Sequence, residues 1–533
     1  MIWNVESQYP IQDTKIEGES SNIVRLIQDE TVKKNIQFDE ISIPNPDSPT
    51  STPNGPDGDK AEQTAGLQYP IIRINDKVFA RKEILEMTLM STSLLPSISV
   101  TLQFFDTQFI SKNMPKDGDI LSLFLRQSNN ALQYIRCDFL ITSCSVNKYK
   151  QDSENKVYVQ GSLFIPGFNS TNQVFAHIGT SKEVIREIAI KYGIGFAFND
   201  YENTNDMQNW FACYESMPSF ISEITPHIWK DETSFFKVWI DFYYNLCFVN
   251  VNKFLLSTEN KEEVDITILS NATNLYNLAK EDQSTENTTL MPKLLSNMSQ
   301  LRNTPFYITK WEPVNHSTAV SLSSGYTNIS YNFIHNQNIM NNALVDSFQS
   351  LVNIPAYDQN KTDSYIVLRG RTTYNENENP ENEQKRVNYD YVNTYIKREW
   401  RGVEYMLDPN NTSKNSDTWT GNVHKNYSRA VNHNKINNAE LTKMYIIVTC
   451  DGFNTQIMRG ERVPVYLIHA NIVDETQVNN SETDIQRDAN RFYSGYYIVD
   501  NIIYTYNPLN KGTNAFSTQF VLTRREWPTP EAI

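Results

Sequence analysis

Residues 180–200 read TSKEVIREIAIKYGIGFAFND and, after a polar Asn-rich gap, residues 210–256 read WFACYESMPSFISEITPHIWKDETSFFKVWIDFYYNLCFVNVNKFLL. Thr180 followed three residues later by Glu183 is a capping box, in which each side chain satisfies a backbone N–H that the first helical turn leaves without a partner. Val184, Ile185, Ile188, Ala189 and Tyr192 then recur at helical spacing, so one face of the helix is apolar; Gly193 stops it, and residues 194–198 read as a strand. The second half repeats this logic. Asp231 is a candidate N-cap, Phe235, Val238, Trp239, Phe242 and Leu246 make a broad aromatic stripe on a second helix, and residues 247–251 and 254–256 look extended. Together they predict a central α/β domain over residues 171–256.

Outward from this stretch both flanks change to a period of two. On the N-terminal side residues 71–74, 77–90 broken around Arg81, 97–105, 120–125, 134–146 and 157–165 read as strands, with turns at Asn75-Asp76 and Gly118-Asp119 and a short helix at 107–114. On the C-terminal side residues 304–311, 319–322, 441–450, 463–472, 495–506 and 515–525 do the same. Each set has enough strands to close a small barrel and hide its edges. The expected fold class is α+β, mainly β: two small β-barrels, residues 67–170 and residues 304–340 plus 440–527, joined by the central α/β domain, with Asn-rich insertions. Residues 1–66 read as an N-terminal arm with a short helix at 23–33 and a Pro-, Ser- and Gly-rich linker at 43–66. Residues 257–303 read as a polar loop or insertion with a weak helical piece near 275–280, residues 341–439 as a peripheral insertion, and residues 528–533 as a C-terminal tail.

Composition narrows the function classes. The chain has 533 residues, 39% hydrophobic and rich in Tyr (29) and Phe (26), which suits a β-rich architecture of several domains. A formal net charge of −15 and the lack of Lys/Arg clusters argue against nucleic-acid binding. The five cysteines, Cys137, Cys144, Cys213, Cys247 and Cys450, form no CxxC pair and suit free thiols in a reducing compartment. No membrane span or signal peptide is legible, and Asn-x-Ser/Thr triplets such as those at Asn169, Asn287 and Asn426 are what an Asn-rich chain produces by chance. No HExxH, GxSxG, phosphate-binding Gly-rich loop or other catalytic motif is present. His177, His227, His316, His335, His424, His433 and His469 are never spaced as a metal pair on one helix. Acidic groups such as Glu259 with Glu262 and Glu263, or Asp484 with Asp488, read as solvated loops rather than hydrolase carboxylates. The expectation is no catalytic, cofactor-binding or metal site and no enzyme activity.

Several runs carry a resemblance. The Thr-led Ile-rich helix, the turn at Tyr192-Gly193, the acidic-Ser-Phe segment at Asp231, Glu232, Ser234 and Phe235, and the Leu-Cys-Phe-Val strand at 246–249 together resemble the baseplate hub proteins of contractile-tailed phages and the hub part of type VI secretion spike proteins. The runs LPSIS at 95–99, Phe105-Asp106, GDIL at 118–121 and ITS at 141–143 are similar to the first tube barrel of that family. MYII at 444–447, Gly452-Phe453-Asn454, Arg459-Gly460, GYYIVD at 495–500 and FVLTRRE at 520–526 are similar to its last tube domain. The resemblance covers residues 67–251 and most of 304–527. It implies that both barrels are of the tube type and that the chain is a structural virion protein without a cofactor, assembled in the host bacterial cytoplasm into the tail baseplate. The implied assembly is a homotrimer whose six barrels form a pseudo-sixfold ring adapting the hexameric tail tube to the trimeric spike. Its implied partners are the tail tube protein, the central spike protein, baseplate wedge proteins and the tape measure protein. Genomic DNA would pass the channel without specific binding, and no stable membrane insertion is implied; the excess of Asp and Glu (62) over Lys and Arg (47) adds the expectation of a neutral to acidic lumen. Two alternatives stand beside this reading, a hub of a type VI-like contractile injection system and a carbohydrate-binding tail adhesin or depolymerase. A hydrolase module fused to the hub is not expected, the last strand signal lying a few residues before Ile533.

Overall fold

The computed structural model describes residues 26–39, 70–104 except 76 and 80, 114–125 except 117, 135–148, 155–256, 268–270, 307–315, 327–332, 337–342, 394–395, 424, 426, 430, 433–434, 437–438, 441–442, and 444–524 except 452, 454–456, 467–492, 494 and 509–514. After β1 (Ile27–Gln28) come β2 (Ile71–Ile74), β3 (Lys77–Val78), β4 (Ile84–Ser91), β5 (Ser97–Phe104), β6 (Ile120–Leu125), β7 (Ile135–Lys148) and β8 (Asn155–Leu163). The central region holds β9 (Gln173–Gly179), α1 (Ser181–Tyr192), β10 (Gly195–Phe198), β11 (Gln208–Glu215), α2 (Met217–Ile224), β12 (Phe236–Ile240), β13 (Asn245–Asn250) and α3 (Val251–Leu256). The rest is β14 (Ile268–Ser270), β15 (Tyr307–Asn315), β16 (Thr327–Asn332), β17 (Gln337–Asn342), β18 (Thr394–Tyr395), β19 (Met444–Asp451), β20 (Arg462–Tyr466), β21 (Gly495–Tyr506) and β22 (Phe516–Thr523). The described structure is mainly β with few helices.

One thirteen-stranded sheet runs through the molecule in the order β20-β14-β15-β19-β22-β21-β4-β5-β8-β7-β6-β2-β3. Strands expected in two separate barrels thus share a single sheet, joined where Ile502–Tyr506 of β21 run antiparallel to Met87–Ser91 of β4. On either side of that joint the order is the same. Match β2, β4, β5, β6, β7 and β8 in chain order with β14, β15, β19, β20, β21 and β22. The antiparallel pairs β4–β5, β5–β8, β7–β8 and β6–β7 then correspond to β15–β19, β19–β22, β21–β22 and β20–β21.

The irregularities match too. Leu85 in β4 and Thr309 in β15 are the extra residues of equivalent bulges, as are Thr142 in β7 and Asp500 in β21. The turn into β6 is closed by the Asp119 N–H donating to the Lys116 carbonyl, and the turn into β20 by the Glu461 N–H donating to the Met458 carbonyl. In each the acidic side chain accepts from the first N–H of the turn, at 2.8 Å. Gly118 (φ 91) and Gly460 (φ 84) occupy the position where such a turn needs the left-handed region. Two features differ. β2 is antiparallel to β6 whereas β14 is parallel to β20, and the C-terminal pairings β20-β14-β15-β19-β22-β21-β20 return on themselves, while among the described residues β2 and β4 are not paired.

The central region packs on the buried face of this sheet. Its four-stranded sheet has the order β1-β10-β13-β12, with β10 and β13 parallel. α1 starts as its sequence predicts: Thr180 accepts from the Glu183 N–H, Glu183 accepts from the Thr180 N–H, and Gly193 (φ 63) ends the helix. Val184, Ile185 and Ile188 are fully buried, each contributing roughly 1.5–3 kcal/mol.

The predicted second helix is a strand. Residues 236–240 form β12, and the turn Asp241–Tyr244 returns the chain into β13, with the Asp241 carboxylate accepting from the N–H groups of Tyr243 and Asn245 and Tyr244 at φ 59. Asp231 does not cap a helix; it closes a local turn by accepting from the Thr233 N–H and the Thr233 and Ser234 hydroxyls. All six residues of β13 are buried, and its interior, residues 246–249, is an unbroken apolar run that helical and strand periods fit equally well. Residues 254–256, expected to be extended, lie in α3.

Three further expectations change. The helix at 23–33 is replaced, among the described residues, by β1 and a turn in which Asp29 accepts from Thr31. This part of the N-terminal arm is docked rather than free: Leu26 and Val32 are buried, Arg186 holds Asp29 at 2.8 Å, and the Asn35 N–H donates to the Gly193 carbonyl. Within the polar insertion, residues 268–270 form β14 between β15 and β20. At the end of the insertion expected to be peripheral, His424, His433, Asn434 and Asn437 are buried against the central region. β16, β17 and β18 form a separate three-stranded sheet. The helices expected at 107–114 and 275–280, the linker at 43–66 and the strand at 319–322 lie outside the described residues, apart from residue 114.

Candidate functional surface

Over β4, β5, β8, β21 and β22 strand alternation gives the long sheet one buried and one more exposed side. Met87 and Leu89 of β4, Val100 of β5, Val159 of β8 and Tyr504 of β21 face the core and are fully buried. On the other side, cross-strand partners form a row over six strands: Ser143, Gln160, Ser99, Thr88, Thr505 and Ser517. Every member carries a hydroxyl or an amide and none a charge. In the next row Ser145, Tyr158 and Thr101 are followed by Glu86. Ser99 Oγ donates to the Tyr158 hydroxyl at 2.8 Å and Gln160 Nε2 donates to it at 2.9 Å, so neighbouring rows are tied together. These two rows bind water well and offer no cation to a phosphate backbone, although the exposed Lys156 follows on the same side of β8 beyond Tyr158.

Where the two halves of the sheet meet, the β12–β13 hairpin grips both. The Ile240 N–H donates to the Leu94 carbonyl at 2.7 Å, and Arg459 Nη1 donates to the Ser93 carbonyl at 2.7 Å, both acceptors lying in the β4–β5 turn. Arg459 Nε donates to the Asp500 carbonyl, its guanidinium lies 4.8 Å from the Trp239 ring centroid, and Lys237 Nζ bonds Asp500 Oδ1 at 2.6 Å. Burial works against the Asp500 carboxylate, but attraction to Lys237 and Arg459 and the Lys237 hydrogen bond outweigh it and hold its pKa below the ordinary value. Phe242 meets Tyr504 with ring centroids 5.8 Å apart and takes a hydrogen bond from Cys137 Sγ on its carbonyl. The bulge at Asp500 is what aims its carboxylate out of the ladder and at Lys237.

A second surface is the β9–β11 hairpin, where Val174 (64% exposed), Ile178 (71%) and Tyr214 (73%) form an outward apolar group.

The histidines weighed in the sequence fall into structural places. His424 Nε2 contacts the His227 carbonyl at 3.1 Å, His433 Nε2 the Ser234 carbonyl at 3.0 Å, and His177 lies half-buried on β9. Burial and the neighbouring His227 push the His424 pKa down to about 3, so its ring is neutral. His316, His335, His469 and the acidic groups at 259–263 and 484–488 lie outside the described residues. Among the described residues no group of three His, Cys, Asp or Glu side chains could hold a metal ion, no disulfide joins the five cysteines, and no helix is long and apolar enough to cross a membrane. Sequence reasoning missed the grip of Lys237, Arg459 and Asp500. Its one legible trace was an acid in the middle of the otherwise uncharged strand GYYIVDNIIYTY.

No protein-family model and no curated protein matches this sequence. Among solved structures it is similar to the tail protein from Neisseria meningitidis MC58, with a TM-score of 0.40 and 8% identity over 85% of this chain and 96% of that one. It is also similar to the 43 kDa tail protein of prophage MuSo2 from Shewanella oneidensis, with a TM-score of 0.41 and 6% identity over 86% and 98%. A third is an E. coli component of the type VI secretion system described as structurally similar to bacteriophage tail proteins, with a TM-score of 0.35 and 8% identity over 86% and 79%. The solved structures that this chain resembles are phage tail proteins and type VI secretion components.

Proposed function

We propose that this protein is a structural component of a contractile tail, the central hub of a phage baseplate, in which three copies make a pseudo-sixfold ring between the hexameric tail tube and the trimeric spike. The observation that carries this reading is the repeated strand order, with its matched bulges and matched entry turns, on the two sides of the β21–β4 joint. A chain carrying one module twice lets three subunits present six similar units around an axis, so that one rim meets sixfold symmetry and the other threefold. The hydroxyl- and amide-lined face lines the channel in this assembly, and a duplex passes it without being held, because affinity for DNA comes chiefly from neutralising phosphates with Lys and Arg. The grip of Lys237, Arg459 and Asp500 keeps the two modules at a constant angle, as a ring needs. The protein acts by shape and not by catalysis.

Size-exclusion chromatography with light scattering, on the protein alone and mixed with tail tube and spike proteins, tests this. The expected mass is about three times the 61.6 kDa of the chain, with retention of both partners. A monomer that binds glycan and neither tail component would overturn the reading in favour of an adhesin.

A further inference from the structure

Among the described residues the joint between the two modules occurs once, and the same strands of the opposite modules lie without it. β21 pairs with β20 through residues 495–498 and, past its bulge at Asp500, with β4 through residues 502–506. β7 begins in the same way, pairing with β6 through residues 135–140 up to its own bulge at Thr142. Past that bulge, among the described residues, no strand lies on this edge of residues 143–148. The counterpart of β4 is β15, which meets β14 only at Tyr307 and Ile308; among the described residues, none pairs with that edge over residues 310–315.

Burial marks the same two places. Ile502 and Tyr504 are covered by the joint, at 1% and 0% exposure, whereas their equivalents Cys144 and Val146 are half-exposed. Met87 and Leu89 are at 0%, whereas their equivalents Trp311 and Pro313 are half-exposed and exposed. Among the described residues, core-facing positions on both edges therefore lack the strand that covers the matching positions inside the chain.

We infer that residues 143–148 of β7 pair antiparallel with residues 310–315 of β15 in a second copy of this chain. Carrying over the register of β21 on β4 sets Ser145 opposite Val314, Val146 opposite Pro313 and Asn147 opposite Glu312 of the second copy. Pro313 removes at most one ladder bond and, with Lys310 and Glu312, makes the edge a poor template for other strands. The contact is head-to-tail, so repeating it continues the sheet from copy to copy until a ring closes. This rests on the ring reading proposed above and deepens it by naming the edges and the register.

Directly opposed residues of an antiparallel pair have Cα atoms about 4.5–5.5 Å apart, within disulfide reach. In the full chain carrying Cys144→Ser and Cys213→Ser, the pair Ser145→Cys with Val314→Cys should cross-link under mild oxidation into a ladder ending at three chains on a non-reducing gel. Ser145→Cys with Lys310→Cys, about 13 Å out of register, should not, nor should any single cysteine. Solution mass is measured alongside. A trimer without the first cross-link, or with the second in its place, overturns this edge pairing and leaves the ring reading standing. A monomer at every concentration, with no cross-link, overturns both.

Discussion

Gly118 and Gly460 occupy the same place in the same turn, at φ 91 and φ 84, and their surroundings differ completely. Among the described residues nothing lies within 4 Å of where a Cβ on Gly118 would point, while one on Gly460 would lie 2.5 Å from Trp239 Cζ2. The bulge residues repeat the contrast: Asp500 is held by Lys237, whereas Thr142 is exposed and its hydroxyl donates to the Gln160 carbonyl at 3.4 Å. The two modules share a backbone plan, and the C-terminal one has been built into the central region through positions that its counterpart leaves in water. A common backbone plan thus meets its surroundings in two ways, with the entry turn and the bulge residue packed against the central region in one module and exposed in the other.

The largest test of that contrast is glycine replacement. Gly460→Ala should lower stability by about 2–5 kcal/mol, from left-handed backbone strain and the collision with a buried tryptophan, whereas Gly118→Ala should cost about 1–2 kcal/mol from strain alone. Urea unfolding midpoints read the difference, and equal costs would break the comparison. Next is the bulge pair. Lys237→Ala strips Asp500 of a partner in a largely buried site and should cost about 2–3 kcal/mol, against no more than about 0.5 kcal/mol for Thr142→Ala.

Acid should then separate the central region from the sheet. The unfolded His424 takes up its proton near its ordinary pKa, the folded one only near 3, so the unfolded state binds more protons in between. Its contribution is flat above pH 6.5 and falls with acid by up to about 1.4 kcal/mol per pH unit, roughly 2 kcal/mol by pH 5. Comparing urea unfolding of the protein with His424→Gln across pH 7 to 4 isolates that slope; parallel curves would show that the ring is not sealed from water. The smallest expected effect on stability, and the sharpest on function, is at the polar face. Thr88→Lys with Thr505→Lys should change stability by about 0.5 kcal/mol or less each. The pair should nonetheless confer DNA retention at low salt in a gel-shift assay in which the unaltered protein shows none.

Legibility followed the range of the interactions. α1 could be read because Thr180, Glu183 and Gly193 act within one helical turn of the groups they satisfy. The strands of the long sheet could be read because one side faces water and the other does not, leaving alternation visible in runs such as FSTQFVLT. β12 and β13 could not, since Trp239, Ile240, Leu246, Cys247, Phe248 and Val249 are all buried and the apolar run 246–249 of β13 has no alternation to read. β14 was hidden in a polar insertion because three residues carry almost no periodic signal. On the candidate surface the lack of Lys/Arg clusters was visible in the sequence, but the row from Ser143 to Ser517 exists only once six strands are in register.

Local chemistry alone determined where most strands and the capped helix lie, that the chain carries an acidic excess, and that similar β-rich segments flank a central region. Tertiary structure decided that those segments share one sheet, that their bulges and turns coincide, and that Lys237, Arg459 and Asp500 meet at the joint although 263 residues separate the first from the last. The physical reason is that turns and caps are settled by neighbours a few residues away. Strand partners, and the burial that gives a lysine or a carboxylate its energy, come from parts of the chain whose proximity no local pattern encodes.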